Sequence, residues 1–196
     1  MIKALVLAQY IINKSIQDGE PISNLQLQKI LYFLQVQYYH ITGEFLISDD
    51  FYAWQYGPVI PDVYYKYCGY GGFKILSEST IDYHIENDIM NFVDKEIQPL
   101  RNLSPWDLVE TTHRKGGAWD QTYRNGEGLY AIISKSKIIE ESNNRLGDNH
   151  DIRRESSTLR RTQAITKKTR PYLRSKRGAA ALYKAFKGNL WCVKQR

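Results

Sequence analysis

The stretch Ser23-Asn24-Leu25-Gln26-Leu27-Gln28-Lys29-Ile30-Leu31-Tyr32-Phe33-Leu34-Gln35, continuing to Gly43, carries a start signal, a sustained period and a stop signal. Ser23 and Gln26 have the spacing of a capping box, in which the hydroxyl accepts from the backbone three residues on and the Gln reaches back. Leu27, Ile30, Leu31, Leu34, Tyr38 and Ile41 recur at three- and four-residue steps, the period of a helix face. Gly43 suits a left-handed helix end. Upstream, Ile2, Leu5, Ala8, Ile12 and Ile16 outline an amphipathic helix that Asp18-Gly19-Glu20-Pro21 stops. Downstream the period changes. Phe45-Leu46-Ile47 and Phe51-Tyr52-Ala53-Trp54 read as two short strands around Ser48-Asp49-Asp50, and Gly57-Pro58-Val59-Ile60-Pro61 as a rigid elbow. Pro61 suits the first position of a helix over roughly Asp62 to Tyr67, broken by Gly69, Gly71 and Gly72.

Further on, Ile85, Ile89, Phe92, Val93 and Ile97 predict a helix closed before Pro99. Ser104-Pro105-Trp106-Asp107 is a helix start with a Ser cap, a first-turn Pro and an acid facing the positive helix end. That helix is expected from Trp106 to Arg114, stopping at Gly116-Gly117. A last one begins near Ser134 or Ser136 and carries Ile138 and Ile139. The expected fold is mainly α, a compact bundle of short helices with a small two-stranded β element and a basic C-terminal extension.

The net charge of +6 over 196 residues conceals a division. Residues 1–148 hold 13 Lys+Arg against 19 Asp+Glu, a net of −6, whereas residues 149–196 hold 14 against 2, a net of +12. An acidic, Tyr-rich helical domain over 1–148 and a basic tail over 149–196, partly helical or disordered, are therefore expected, with the turn-prone Asn143-Asn144-Arg145-Leu146-Gly147-Asp148-Asn149 between them. An apolar content of 42% excludes disorder throughout. The most apolar stretch, Ile2 to Ile12, is interrupted by Lys3 and Gln9 and is too short for a membrane span. Its helical pattern simply continues, so it does not read as a secretory leader. Cys68 and Cys192 lie far apart and form no CxxC pair, so a reducing cytoplasm is the expected compartment and neither a disulfide framework nor a structural zinc site is expected.

No motif for catalysis or cofactor binding stands out. There is no GxGxxG after a strand and no GxxxxGK[ST], and Gly69-Tyr70-Gly71-Gly72 reads as a turn. His40, His84, His113 and His150 form no HxxxH or HExxH pattern, so no metal and no cofactor is expected. Asp49-Asp50 reads as capping and solvated. His113, near Trp119, has two readings: a general base or polar anchor at a pocket rim, or a cation held by the negative end of a helix.

Aromatic density is the positive signal. Tyr32, Phe33, Tyr38, Tyr39, Phe45, Phe51, Tyr52, Trp54, Tyr56, Tyr64, Tyr65, Tyr67 and Tyr70 fall within 39 residues. Tyr and Trp give large contact area at small entropic cost and are enriched at protein–protein interfaces. Consecutive Tyr64 and Tyr65 on a helix point about 100° apart, so at least one faces outward.

Leu25-Gln26-Leu27-Gln28-Lys29-Ile30-Leu31-Tyr32-Phe33-Leu34-Gln35, then Phe51-Tyr52-Ala53-Trp54-Gln55-Tyr56-Gly57-Pro58-Val59-Ile60-Pro61-Asp62-Val63-Tyr64, closely resembles the Panacea domain, also called SocA-like or GepA-like after phage-associated and mobile-element proteins. Thr112-His113-Arg114-Lys115-Gly116-Gly117-Ala118-Trp119 is similar to a later segment of that family. The resemblance spans nearly all of residues 1–141. It implies a mainly α-helical antitoxin of a toxin–antitoxin system, not an enzyme, that neutralises its toxin by direct protein–protein interaction. Family toxins include alarmone-synthetase-like enzymes and membrane-disrupting peptides, and some members are thought to deliver partners to proteases. The resemblance implies no catalytic residue. The candidate partner-binding residues are Lys29, Tyr32, Trp54, Tyr56, Tyr64, Tyr65, His113 and Trp119, with Gly57 and Pro58 as backbone devices.

The tail departs from the family pattern. Arg153-Arg154, Arg160-Arg161, Lys167-Lys168 and Lys176-Arg177 recur with few apolar neighbours, and Ala179 to Phe186 forms a short amphipathic run. Three readings of this segment stand: non-specific nucleic-acid binding by phosphate neutralisation, docking to the acidic body or an acidic toxin, and an extension without specific function. The functional alternatives to an antitoxin are thus a nucleic-acid-binding regulator acting through the tail, and a hydrolase or transferase using His113.

Overall fold

The computed structural model describes residues 1–77 and 84–144. The expectations for the tail, including Arg153, Arg154, Arg160, Arg161, Lys167, Lys168, Lys176 and Arg177, lie outside the described residues. Seven α-helices occur among the described residues: α1 (Ala4–Gln17), α2 (Asn24–Thr42), α3 (Pro61–Tyr67), α4 (Asn87–Arg101), α5 (Pro105–Thr112), α6 (Ala118–Tyr123) and α7 (Lys135–Asn144). Strands β1 (Tyr52–Trp54) and β2 (Gly57–Val59) pair antiparallel, with Tyr52 opposite Val59 and Trp54 opposite Gly57. The fold is mainly α with a two-stranded antiparallel sheet. No helix among the described residues is long and apolar enough to cross a membrane.

Helix α2 is the axis of the described helical unit, and α1, α3, α4, α5 and β2 all pack on it. Its capping box is formed, with the Ser23 hydroxyl accepting from the Gln26 N–H and the Gln26 side chain accepting from the Ser23 N–H, and Gly43 ends it in the left-handed region. Burial is continuous from Gln26 to Val36, so α2 has no solvent face over those turns. Gln26, Gln28, Lys29 and Gln35 are consequently inside, and each takes a backbone partner in a neighbouring loop or, for Lys29, in β2. Gln26 Nε2 donates to Leu103 O at 3.1 Å, and Gln28 Oε1 accepts from Ile60 N–H at 3.0 Å. Gln35 Oε1 accepts from Ile47 N–H at 2.8 Å, and Lys29 Nζ donates to Pro58 O at 2.9 Å. Buried backbone groups need partners, and α2 supplies them where the surrounding chain is irregular.

The hairpin differs from the expected one. Phe45-Leu46-Ile47 is not its first strand; Ile47 bridges in parallel to Ile2, and the strand pairing with β1 is the expected elbow at Gly57-Pro58-Val59. Asp49 explains the displacement, since its Oδ2 accepts from Ala4 N–H at 2.9 Å and caps α1, holding residues 46–48 beside the N-terminus. On α1 the expected Ala8 and Ile12 are buried and Ile2 and Ile16 pack against the core, but Leu5 is 37% exposed, and the buried face widens to take in Leu7 and Ile11. Helix α4 runs through Pro99 to Arg101 instead of closing before it. Proline removes one helical hydrogen bond here, and the final turn is held by burial of Leu100 and by Arg101, which pairs with Asp18 at 2.8 Å and Glu20 at 3.4 Å. Helix α5 ends at Thr112 rather than Arg114, and α6, which sequence periodicity does not announce, follows Gly117.

Candidate partner-binding face and its buried support

The candidate residues fall into two layers. The inner layer forms around β2. Gly57 has φ of +100°, a region open to glycine, and a Cβ there would lie 2.6 Å from Thr112 Oγ1 and 2.9 Å from Lys29 Nζ. The missing side chain lets α2 and α5 close on the strand. Lys29 is fully buried, and burial pushes its pKa well below that of an ordinary lysine. His113, at the C-terminal end of α5, stacks on Trp119 with ring centroids 3.7 Å apart and planes 3° from parallel. Trp119 in turn stacks on Tyr123 at 4.6 Å.

Burial first, and then the nearby Lys29, push the His113 pKa down to about 4, against a smaller opposing effect of Asp120. Its Nε2 is buried without a hydrogen-bond partner, so protonation would bury a charged donor with nowhere to donate. The ring is therefore neutral at pH 7. The expectation of a histidine kept cationic by the helix end gives way, because desolvation and the neighbouring Lys29 outweigh a terminal dipole effect of about 1 kcal/mol.

Tyr32 also belongs to the interior. Its hydroxyl donates to Glu141 Oε2 at 2.5 Å, and the same oxygen accepts from Ala118 N–H at 2.9 Å, so the carboxylate of α7 binds α2 to the start of α6. Trp119 is buried and donates from Nε1 to Trp54 O at 2.9 Å, which fixes β1 over the inner stack. Lys29, Tyr32 and Trp119 thus lie beneath the surface, His113 is half-buried, and none of the four is placed as an outward aromatic anchor.

The outer layer is aromatic. Trp54 meets Tyr64 edge-on at 4.8 Å, Tyr65 at 6.3 Å and Tyr130 at 5.5 Å, and Tyr64 meets Tyr65 at 5.5 Å. Tyr65 is 53% exposed and Tyr130 61%. Tyr56 pairs with the exposed Trp106 at 5.7 Å, outside the Trp54 group. The structure therefore brings Trp54, Tyr64 and Tyr65 together and adds Tyr130, which the sequence reading passed over. The available signal was Tyr130-Ala131-Ile132-Ile133, a short apolar run between Gly128 and Ser134. Among the described residues no group of three His, Cys, Asp or Glu side chains is placed to hold a metal ion.

A mainly helical domain with an outward aromatic cluster on a small sheet, braced from beneath by a buried lysine and a histidine–tryptophan stack, is the class that fold and face define. The profile of the family described as "Antitoxin SocA-like, Panacea domain" matches residues 27–120. A curated relative, "Antitoxin SocA" of Caulobacter vibrioides (strain NA1000 / CB15N), is 30% identical over 138 residues, 65% of this chain and 73% of the relative. No solved structure matches the chain. The chain belongs to the SocA-like antitoxin family, the Panacea-domain proteins. Every candidate residue from Lys29 to Trp119 lies inside the matched region, whereas Tyr130 lies beyond it.

Proposed function

We propose that this chain is an antitoxin that neutralises a cognate toxin in the cytoplasm by direct protein–protein binding, catalysing no reaction, and that the toxin seats on the Trp54–Tyr64–Tyr65–Tyr130 cluster. The aromatic contacts, with Tyr65 and Tyr130 exposed and Trp54 and Tyr64 half-buried, carry this reading. Four large rings, with Trp54 edge-on to the other three and Tyr64 edge-on to Tyr65, form an anchor surface of the kind that dominates interface energies. The net charge of −6 over residues 1–148 favours a basic partner by steering and charge complementarity. Co-expression with the product of the adjacent gene is expected to rescue growth, and the two proteins are expected to co-purify; failure of both removes the reading.

A second reading rests on the net charge of +12 over residues 149–196, which favours non-specific nucleic-acid binding by the same chain, as an operon regulator would require. Electrophoretic shifts with the full chain are expected to weaken steeply with salt. Replacing Arg153, Arg154, Arg160 and Arg161 by Gln is expected to flatten that dependence. Shifts indifferent to salt and to these substitutions would remove this second function without touching the first.

A further inference from the structure

The sheet carrying the aromatic face has a third row, whose outer edge pairs with no other described residue. Residues 130–133 run beside β1: Tyr130 N–H donates to Ala53 O, Ala53 N–H to Ala131 O and Ile133 N–H to Phe51 O, each at 2.8 Å. Tyr52 and Ile132 face each other in an antiparallel bridge. A residue flanked by such bonds turns its own N–H and C=O to the opposite side. Ile132 therefore presents both backbone groups on the edge away from β1, and neither hydrogen-bonds to another described residue. Ile132 is 51% exposed, and Leu129 nearby is 41% exposed.

Sheet edges of this kind are ordinarily blunted by Lys, Pro or a covering element. Leu129-Tyr130-Ala131-Ile132-Ile133 has no charge and no proline. The edge is short: Tyr130 turns the chain at one end with φ of +65°, and at the other Ser134 O accepts from Lys137 and Ile138 as α7 begins. A helix laid on this edge would have no free backbone groups along its flank to offer, whereas an extended segment offers an N–H and a C=O at alternate residues.

We propose, resting on the antitoxin reading above, that the toxin adds a short extended segment to this sheet, pairing its backbone with the N–H and C=O of Ile132. The segment places apolar side chains against Tyr130 and Trp54 and belongs to a partner of net positive charge, complementary to the −6 of residues 1–148. Two measurements on the full chain test it, using the co-purified product of the adjacent gene as the probe. Amide exchange at Ile132 is expected to slow at least tenfold in the complex. Ile132→Pro, which deletes the N–H, is expected to weaken binding at least tenfold more than Ile132→Ala, which keeps it. Unchanged exchange in a complex that still forms, or equal affinities of the two variants, overturns strand addition and leaves docking on the aromatic face intact. Should Ile132→Pro fail to fold, exchange in the unsubstituted chain decides alone. A complex indifferent to Trp54→Ala and Tyr65→Ala instead overturns the docking reading and the strand with it, as does the absence of any complex.

Discussion

The charge state of His113 is set by burial first and by the neighbouring Lys29 second, and it has a pH signature. The folded-state pKa of about 4 lies below the ordinary value of 6.5, so between those pH values the unfolded chain binds more protons. Stability from this group is present above pH 6.5 and is lost as the pH falls towards 4. Urea unfolding at pH 7 and pH 4.5 is expected to show a smaller loss in His113→Phe than in the unsubstituted chain, by about 1–3 kcal/mol. Lys29→Met removes the second cause of the depression while burial persists. NMR titration of that variant is thus expected to place the His113 pKa above 4 and still below 6.5. An unmoved value would mean that Lys29 exerts no field there. Gly57→Ala joins a strained positive φ to a collision with Thr112 and Lys29, and is expected to cost about 2–4 kcal/mol in the same unfolding experiment.

At the scale of elements, α2 organises the domain because its polar side chains complete the hydrogen bonding of loops. Gln28→Met conserves volume but leaves the Ile60 N–H inside without its acceptor, and is expected to cost about 1–3 kcal/mol by urea unfolding. Glu140→Gln on the exposed side of α7 is expected to stay within about 0.5 kcal/mol. The role of α2 also explains which parts of the fold were legible. Its boundaries were readable because Ser23, Gln26 and Gly43 act locally, through bonds spanning a few residues. The β pairing was not, because Asp49 draws residues 46–48 to the start of α1, a contact 45 residues apart in the chain. Helix α6 was hidden for a similar reason: its first N–H is satisfied by Glu141, on a different helix. The same limit governs the site. Aromatic density pointed to Trp54, Tyr64 and Tyr65, but composition alone does not separate a Tyr32 bonded inward to Glu141 from a Tyr65 left half in solvent.

At the scale of the whole molecule, the two layers separate binding from stability, and that separation is measurable. Tyr65 is more than half exposed and packs on Trp54 and Tyr64 through ring edges, so Tyr65→Ala removes contact area without opening a core cavity. Its stability is expected to fall by less than about 1 kcal/mol, whereas affinity for the cognate toxin is expected to fall by about 2 kcal/mol or more, as for an interface anchor. Trp54→Ala is expected to cost both, because the half-buried Trp54 ring packs edge-on against Tyr64, Tyr65 and Tyr130. Tyr32→Phe is expected to show the reverse of Tyr65→Ala: it removes a donor to the carboxylate joining α2 and α6, so unfolding free energy falls by about 1–3 kcal/mol and toxin affinity at saturating folded protein is unchanged. Calorimetric binding beside urea unfolding for these three variants checks the pattern. If Tyr32→Phe weakened binding while Tyr65→Ala left it intact, the toxin would be reading the α2–α6–α7 junction, and the aromatic face would lose its assigned role.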